Sequence, residues 1–277
     1  MIFNKRILLV LDGGNYCTEA YNRARLLANK TDCELELLWF GKPSSQPELK
    51  EKIKAYDNAD QIYRQVQSTE LLKTVQQLWD DDHFTLLIKG CDDRHNGESM
   101  LTPTDWKLLR HTPCPVLLIK RRHAWHGESI VAAINPLSSK EHQIHHDQSV
   151  LRLASFIAHQ ESAKLQTVVA TPARMQMVPE LQVQKLIDQR ARRATVELMN
   201  QLQITTHQLH IGQGPAECWI AQIAGEQDAA LVIISSRGRS GLKGALLGNT
   251  AEQLLDRLET DVLVLKPGLA EQMPIYH

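Results

Sequence analysis

The stretch Leu231-Val232-Ile233-Ile234-Ser235-Ser236-Arg237-Gly238-Arg239-Ser240-Gly241-Leu242-Lys243-Gly244-Ala245-Leu246-Leu247-Gly248-Asn249-Thr250-Ala251 joins a buried-strand run, a basic glycine-rich loop and the start of a helix. Glycines let backbone amides approach a ligand closely, and a helix start adds unpaired N–H groups and the positive end of its dipole. Arg237, Arg239 and Lys243 add charge, and no Asp or Glu interrupts the stretch, so phosphate is its natural guest. The same residues also have a plainer reading. Asn249 and Thr250 are good N-cap types, and a capped helix after a tight turn needs no ligand.

Outward from this stretch the chain repeats itself. A shift of 146 residues carries Thr85–Ile88 onto Leu231–Ile234, Thr104 onto Thr250, Leu108-Leu109 onto Leu254-Leu255, and Val116–Lys120 onto Val262–Lys266 without a gap. Near the start of each copy a shift of 123 carries Asp12 onto Asn135, so the second copy holds about 23 extra residues in its middle. Short apolar runs alternate with helical periodicities, the pattern of parallel strands covered on both faces by helices. In the second copy this places strands near 129–135, 164–170, 207–212, 230–235 and 261–266. Helices fall near 141–160, 179–203 (opened by Pro179), 215–227 (opened by Pro215) and 249–259. The first copy has strands near 6–12, 33–40, 60–67, 84–89 and 115–120, with a short second helix near 47–58. The fold class expected is α/β: two tandem five-strand parallel-sheet domains, 1–124 and 125–277, joined through the polar stretch from Arg121 to Glu128. The apolar strands Val116–Ile119 and Val262–Leu265 each end a copy, and pairing one with the other would cover both edges in a pseudo-twofold arrangement.

Composition narrows the function classes. At 277 residues with 43% apolar and 23% charged content, the chain is globular and each half can bury a core. A net charge of −1 gives no bulk attraction to nucleic acid or anionic membranes, so any anion affinity is local. Five scattered cysteines without CxxC spacing argue for a reducing, cytoplasmic setting and against a disulfide framework. The chain has no run of 18 apolar residues and no signal-peptide order at its start, which points to a soluble protein with no membrane partner.

Other constellations are weaker. His142, His145 and His146, beside Glu141 and Asp147, have the i, i+3 and i, i+4 spacing of a divalent-metal grip, though a solvated helix face carries the same pattern. His207 and His210, three apart in a strand, point to opposite faces. There is no G-x-S-x-G elbow and no G-x-x-x-x-G-K-[ST] loop, so neither a nucleophilic hydrolase nor a P-loop ATPase is indicated, and no catalytic residue can be named. The basic pairs Arg121-Arg122 and Arg192-Arg193 are too short to read as nucleic-acid patches.

Ser235-x-x-Gly238-x9-Gly248-Asn249, the closing Asp261-Val-Leu-Val-Leu-Lys266 strand and the order of elements resemble the universal stress protein family, whose nucleotide-binding members show G-x-x-G-x9-G-[S/T]. Two copies in one chain are similar to the tandem-domain E type. The resemblance implies a Rossmann-like, adenine nucleotide alpha hydrolase-like fold holding ATP or AMP at the carboxyl ends of the strands, with a divalent metal only as companion of the nucleotide. It also implies domain pairing through last strands, a cytoplasmic location, and a role in stress survival and resistance to DNA-damaging agents. Protein partners are unknown, and homodimer formation stays open. Carried over by position, the second copy offers Gly238 and Gly248 with Asn249 and Thr250 for phosphate, Ser235 in place of the first glycine, and Arg237 or Arg239 for charge. Asn135 stands where the family has an Asp beside the nucleoside, and Ala170 would lie beside adenine. The first copy keeps Asp12 but has Asp92 for Gly238, Thr102 for Gly248 and Pro103 for Asn249. Its four acids (Asp92, Asp93, Glu98, Asp105) face Lys89 and Arg94, so it is not expected to take a polyphosphate as the second copy would. Two other readings stay open: an interaction scaffold with both sites vestigial, and a weak metal-dependent hydrolase using His142 or His145.

Overall fold

The computed structural model describes residues 6–40, 47–55, 61–66, 71–81, 83–92, 101–172, 180–236 and 247–266. In chain order the elements are β1 (Arg6–Leu11), α1 (Cys17–Thr31), β2 (Glu34–Phe40), α2 (Pro47–Ala55), β3 (Gln61–Val66), α3 (Leu71–Asp81), β4 (Leu86–Gly90), α4 (Pro103–His111) and β5 (Val116–Ile119). They continue as β6 (Ser129–Ile134), α5 (Glu141–Gln160), β7 (Lys164–Thr171), α6 (Glu180–Gln201), β8 (Gln208–Gln213), α7 (Ala216–Glu226), β9 (Ala229–Ser235), α8 (Asn249–Arg257) and β10 (Asp261–Leu265). The expected βαβ alternation is therefore present in both copies, and no described helix is long and apolar enough to cross a membrane.

By their contacts, the described residues fall into two units. One holds 6–122 with 247 and 261–266; the other holds 123–236 and 248–260. In the first unit the strand order is β3-β2-β1-β4-β5-β10, parallel from β3 to β5. β10 then runs antiparallel to β5, with Val262 opposite Leu118 and Val264 opposite Val116. The pairing of the two last strands is thus observed. It alters the expected count of five parallel strands per copy, because β10 joins the first unit as a sixth strand and leaves the second with four, β9-β6-β7-β8, all parallel. The physical reason lies in β10 itself. All five of its residues are buried, and the fully buried Asp261 carboxylate accepts from the backbone N–H groups of Lys120 (2.8 Å) and Arg121 (3.0 Å) while facing Arg23 at 3.7 Å.

Every residue of β1, β4, β5 and β10 is buried, as continuous apolar strands covered on both faces must be. Helices add one apolar stripe each: Leu71, Val75 and Leu78 on α3, and Val150, Leu153, Ala154 and Ile157 on α5. The polar stretch between the copies is less loose than its composition suggests. Trp125 is 1% exposed, and Gly127 turns the chain at φ +75°, its N–H donating to the Glu161 carbonyl at 2.9 Å. Pro215 precedes α7 as its N-cap, because ψ 131° keeps it extended, so the helix begins at Ala216. Pro179 lies outside the described residues.

Candidate functional site

In an open parallel sheet, ligands bind beyond the carboxyl ends of the strands where the strand order reverses. The first unit has that switch point between β1 and β4, the second between β6 and β9.

At the first, Asp12 follows β1, Lys89 is the penultimate residue of β4, and Asp105 lies in the first turn of α4. The Lys89 ammonium is 2.8 Å from Asp12 Oδ2 and 2.9 Å from Asp105 Oδ1, and donates to the Gly90 carbonyl at 3.0 Å. Its side chain is 1% exposed. Burial alone would lower its pKa, but Asp105 and Asp12 outweigh that and raise it above the ordinary lysine value. Asp105 serves twice. Its Oδ2 accepts from Thr102 N–H (2.8 Å) and Oγ1 (2.9 Å), and Thr102 Oγ1 in turn accepts from Asp105 N–H, a capping box with Pro103 at the first helical position. Asp92 turns to the loop before α1, where Oδ1 accepts from Asn15 N–H at 3.2 Å; Asp12 Oδ1 accepts from Gly14 N–H at 3.3 Å. Nearby, burial followed by the Asp12 charge pushes the Cys17 thiol pKa up to about 11. The acids expected to repel a polyphosphate are therefore used internally; Asp93 and Glu98 lie outside the described residues.

At the second switch point the corresponding positions are Asn135, Ser235 and Ala251, all uncharged. Asn135 follows Ile134, which pairs with Val169, so Asn135 and Ala170 end at one level; Ala132 pairs with Ile233, which sets Ser235 level with Ile134. All three are partly exposed. The backbone N–H of Asn135 donates to Asp147 Oδ1 (3.1 Å) on α5, and Gln143 Nε2 donates to the same oxygen at 2.8 Å. Asp147 is 1% exposed, a buried carboxylate that pins the turn after β6.

The start of α8 faces the same end of the sheet. Thr260, just past the helix, donates from Oγ1 to the Ala229 carbonyl at the first residue of β9, so α8 ends at the amino end of that strand and begins toward its carboxyl end. Its N-cap is Gly248, at φ −76° and ψ 151°, and no side chain caps it. This corrects the N-cap assignment of Asn249 and Thr250: the chain is already helical at both, and their exposed side chains stand in the first turn. Arg237, Gly238, Arg239 and Lys243 lie outside the described residues.

Beside Ala170, its register partner Gly212 on β8 lies under the Trp219 indole of α7, where a Cβ on Gly212 would meet the ring at 2.2 Å. No residue pattern marks this aromatic cover in advance, nor Asp147 as an anchor. In the sequence Lys89 stands only as a counter-charge to the acids of the first copy, not as the centre of a cluster.

The histidines divide. His142 and His145 are exposed, but His146 is buried, so that turn of α5 is not simply a wet face; the His142 and His146 rings lie 6.0 Å apart and His145 is 4.0 Å from Glu141. Among the described residues no group of three or more His, Cys, Asp or Glu converges as a metal site. His207 precedes β8 and is exposed, whereas His210 is buried against Gln166 Oε1 at 3.0 Å, and desolvation lowers its pKa. All five cysteines are free: Cys17, Cys91 and Cys114 are buried, Cys33 is half-buried and Cys218 is exposed.

Comparisons with known proteins agree with this architecture. A family model described as the universal stress protein family matches residues 143–266. A universal stress protein E homolog of Haemophilus influenzae is 30% identical over 68% of this chain and 64% of its own length. Universal stress protein E of Photorhabdus laumondii is 32% identical over 70% of this chain and 64% of its own length, so the chain spans a little under two thirds of these curated relatives. A solved structure, a putative universal stress protein from Pseudomonas aeruginosa UCBPP-PA14, is 30% identical with TM-score 0.79, covering 98% of this chain and 96% of that one. A universal stress protein from Archaeoglobus fulgidus, at 15% identity and TM-score 0.64 over 96% of this chain and 99% of that one, shares the fold.

Proposed function

Because the chain belongs to the universal stress protein family and is similar to its E-type members, we propose that its C-terminal domain, 125–277, binds an adenine nucleotide at the second switch point. ATP or AMP would lie with its phosphates at Gly238, Gly248, Asn249 and Thr250, its nucleoside beside Asn135 and Ala170, and Ser235, Arg237 and Arg239 around it. The observation that carries this reading is the uncapped start of α8, facing a switch point where the positions that match the first copy's ionic cluster are neutral. Helix amides with no side-chain cap favour an anion, and nothing charged in Asn135, Ser235 or Ala251 opposes one. The protein would act as a regulatory or protective module in stress survival, including resistance to DNA-damaging agents, with a divalent metal entering only alongside the nucleotide.

Calorimetric titration of ATP and AMP into the full chain, wild type beside Gly248→Val, tests it. Gly248 has a φ that any L-residue adopts, so the added side chain blocks phosphate approach without straining the backbone. Binding should weaken about tenfold or more, a loss of at least ~1.4 kcal/mol. Equal titration of the two proteins would remove the loop from the site, and no binding by the wild type would leave the interaction-scaffold reading in its place.

A further inference from the structure

The ammonium of Lys89 is ion-paired with Asp12 Oδ2 at 2.8 Å and Asp105 Oδ1 at 2.9 Å, and it donates a hydrogen bond to the Gly90 carbonyl at 3.0 Å. Asp12 comes from the turn after β1, Lys89 and Gly90 from β4, and Asp105 from α4. One buried cation thus ties together the elements that border the first switch point. Two backbone donors of the loop before α1 are likewise answered from within, Gly14 N–H by Asp12 and Asn15 N–H by Asp92. Lys89 and Asp105 are buried and Asp12 closes the group from its exposed side, one positive and two negative charges whose net −1 opposes an incoming phosphate. Every charged position in this arrangement is neutral in the other copy: Asp12 corresponds to Asn135, Lys89 to Ser235, Asp92 to Gly238 and Asp105 to Ala251.

We propose that Lys89 is a tethered counter-ion that occupies the first unit's switch point in place of a ligand, closing it to anions and holding β1, β4 and α4 together without one. The first unit is then complete as folded, with no ligand needed at its switch point. This inference does not rest on nucleotide binding in the second unit.

The test uses the full chain and two variants. Lys89→Met keeps most of the aliphatic stem and strands two carboxylates; the triple variant Asp12→Asn, Lys89→Met, Asp105→Asn removes all three charges at similar volume. Stranding a partner in a buried pair is far costlier than removing the whole set. Lys89→Met should lower the melting temperature by about 10 °C, and the triple variant should recover at least half of that loss. A second readout follows the Lys89 ammonium by ¹H–¹⁵N NMR, with its resonance assigned by its loss in Lys89→Met. Proton exchange should be slow enough for the resonance to be seen, and saturating Mg-ATP should leave it unmoved. The proposal is overturned if Lys89→Met melts within about 2 °C of wild type, if the triple variant melts no higher than the single one, or if Mg-ATP displaces the ammonium signal.

Discussion

The two switch points of this chain descend from one pattern and have been furnished in opposite ways. At the first, Lys89, Asp12 and Asp105 form an ionic cluster, and Thr102 with Asp105 makes a capping box that finishes the helix start ahead of Pro103. At the second, the same positions are Ser235, Asn135, Ala251, Gly248 and Asn249, and the helix start has no side-chain cap. Two copies of a fold share a backbone geometry, but the few side chains at the strand ends decide whether that geometry is used up by the chain itself or left for a ligand.

Position 90 offers the harshest way to break the comparison. At the end of β4 a Cβ would lie 2.5 Å from the carbonyl carbon of Tyr16 and 2.6 Å from its oxygen, and backbone at that distance cannot be moved by a side-chain rotation. The start of α1 presses directly on the strand end, an approach held by Tyr16 N–H donating to the Cys91 carbonyl at 3.3 Å. The corresponding residue in the second copy, Ser236, is 1% exposed and carries a side chain, so there is room there for atoms that the first copy excludes. Gly90→Val should destabilise the protein by about 4 kcal/mol or more, read as a large fall in melting temperature. A variant that melts like wild type would mean that the two strand ends are equally spacious.

Two of the buried lysines of the first unit, Lys89 and Lys266, sharpen the role of pairing. Lys266, 1% exposed, has the Leu109 carbonyl as its hydrogen-bond acceptor in place of carboxylates, and burial lowers its pKa to about 8. Lys89, with two carboxylates, is shifted the other way. Between pH 8 and the ordinary lysine value near 10.4 the unfolded chain therefore binds more protons at position 266 than the folded one, and stability rises with pH across that window. The rise attributable to Lys266 should be about 3 kcal/mol, and Lys266→Met should remove it from a denaturant-midpoint profile over pH 7.5–10.5. Identical profiles would show that the two ammonium groups are equally well compensated.

The sequence revealed the strands and most helices because buried parallel strands are continuous apolar runs, and the 146-residue repeat let each copy check the other. It did not reveal which unit would own the last strand. β10 has the same apolar character as β5 and would suit either edge; its place is marked by Asp261, whose buried carboxylate meets the Lys120 and Arg121 amides 140 residues away. At the site, Asn135, Ser235 and Gly248 could be placed by position, since strand ends and helix starts follow from periodicity. The ionic cluster could not, because Lys89 and Asp105 are 16 residues apart and nothing local says that a lysine ending a strand turns inward to a helix-start carboxylate. Asp147 was hidden for a related reason: on a helix whose nearby residues include exposed histidines, a buried acid looks like one more solvated charge.

Asp147 supplies the finest test of the comparison, because it holds the strand end of the second copy through the Asn135 backbone. Its Oδ1 accepts from Asn135 N–H and Gln143 Nε2, two hydrogen bonds to a charged oxygen that stays buried. Asp147→Ala would leave those donors without that acceptor and should cost about 2 kcal/mol of stability. Its effect on ATP affinity should pass through Asn135. Measured by calorimetry in a double-mutant cycle, Asp147→Ala and Asn135→Ala should each weaken binding severalfold, and the pair should be little worse than either alone, since each removes the same ordered contact. Fully additive losses would mean that Asp147 supports the fold of α5 without positioning Asn135, and the second switch point would then owe its order to the nucleotide alone.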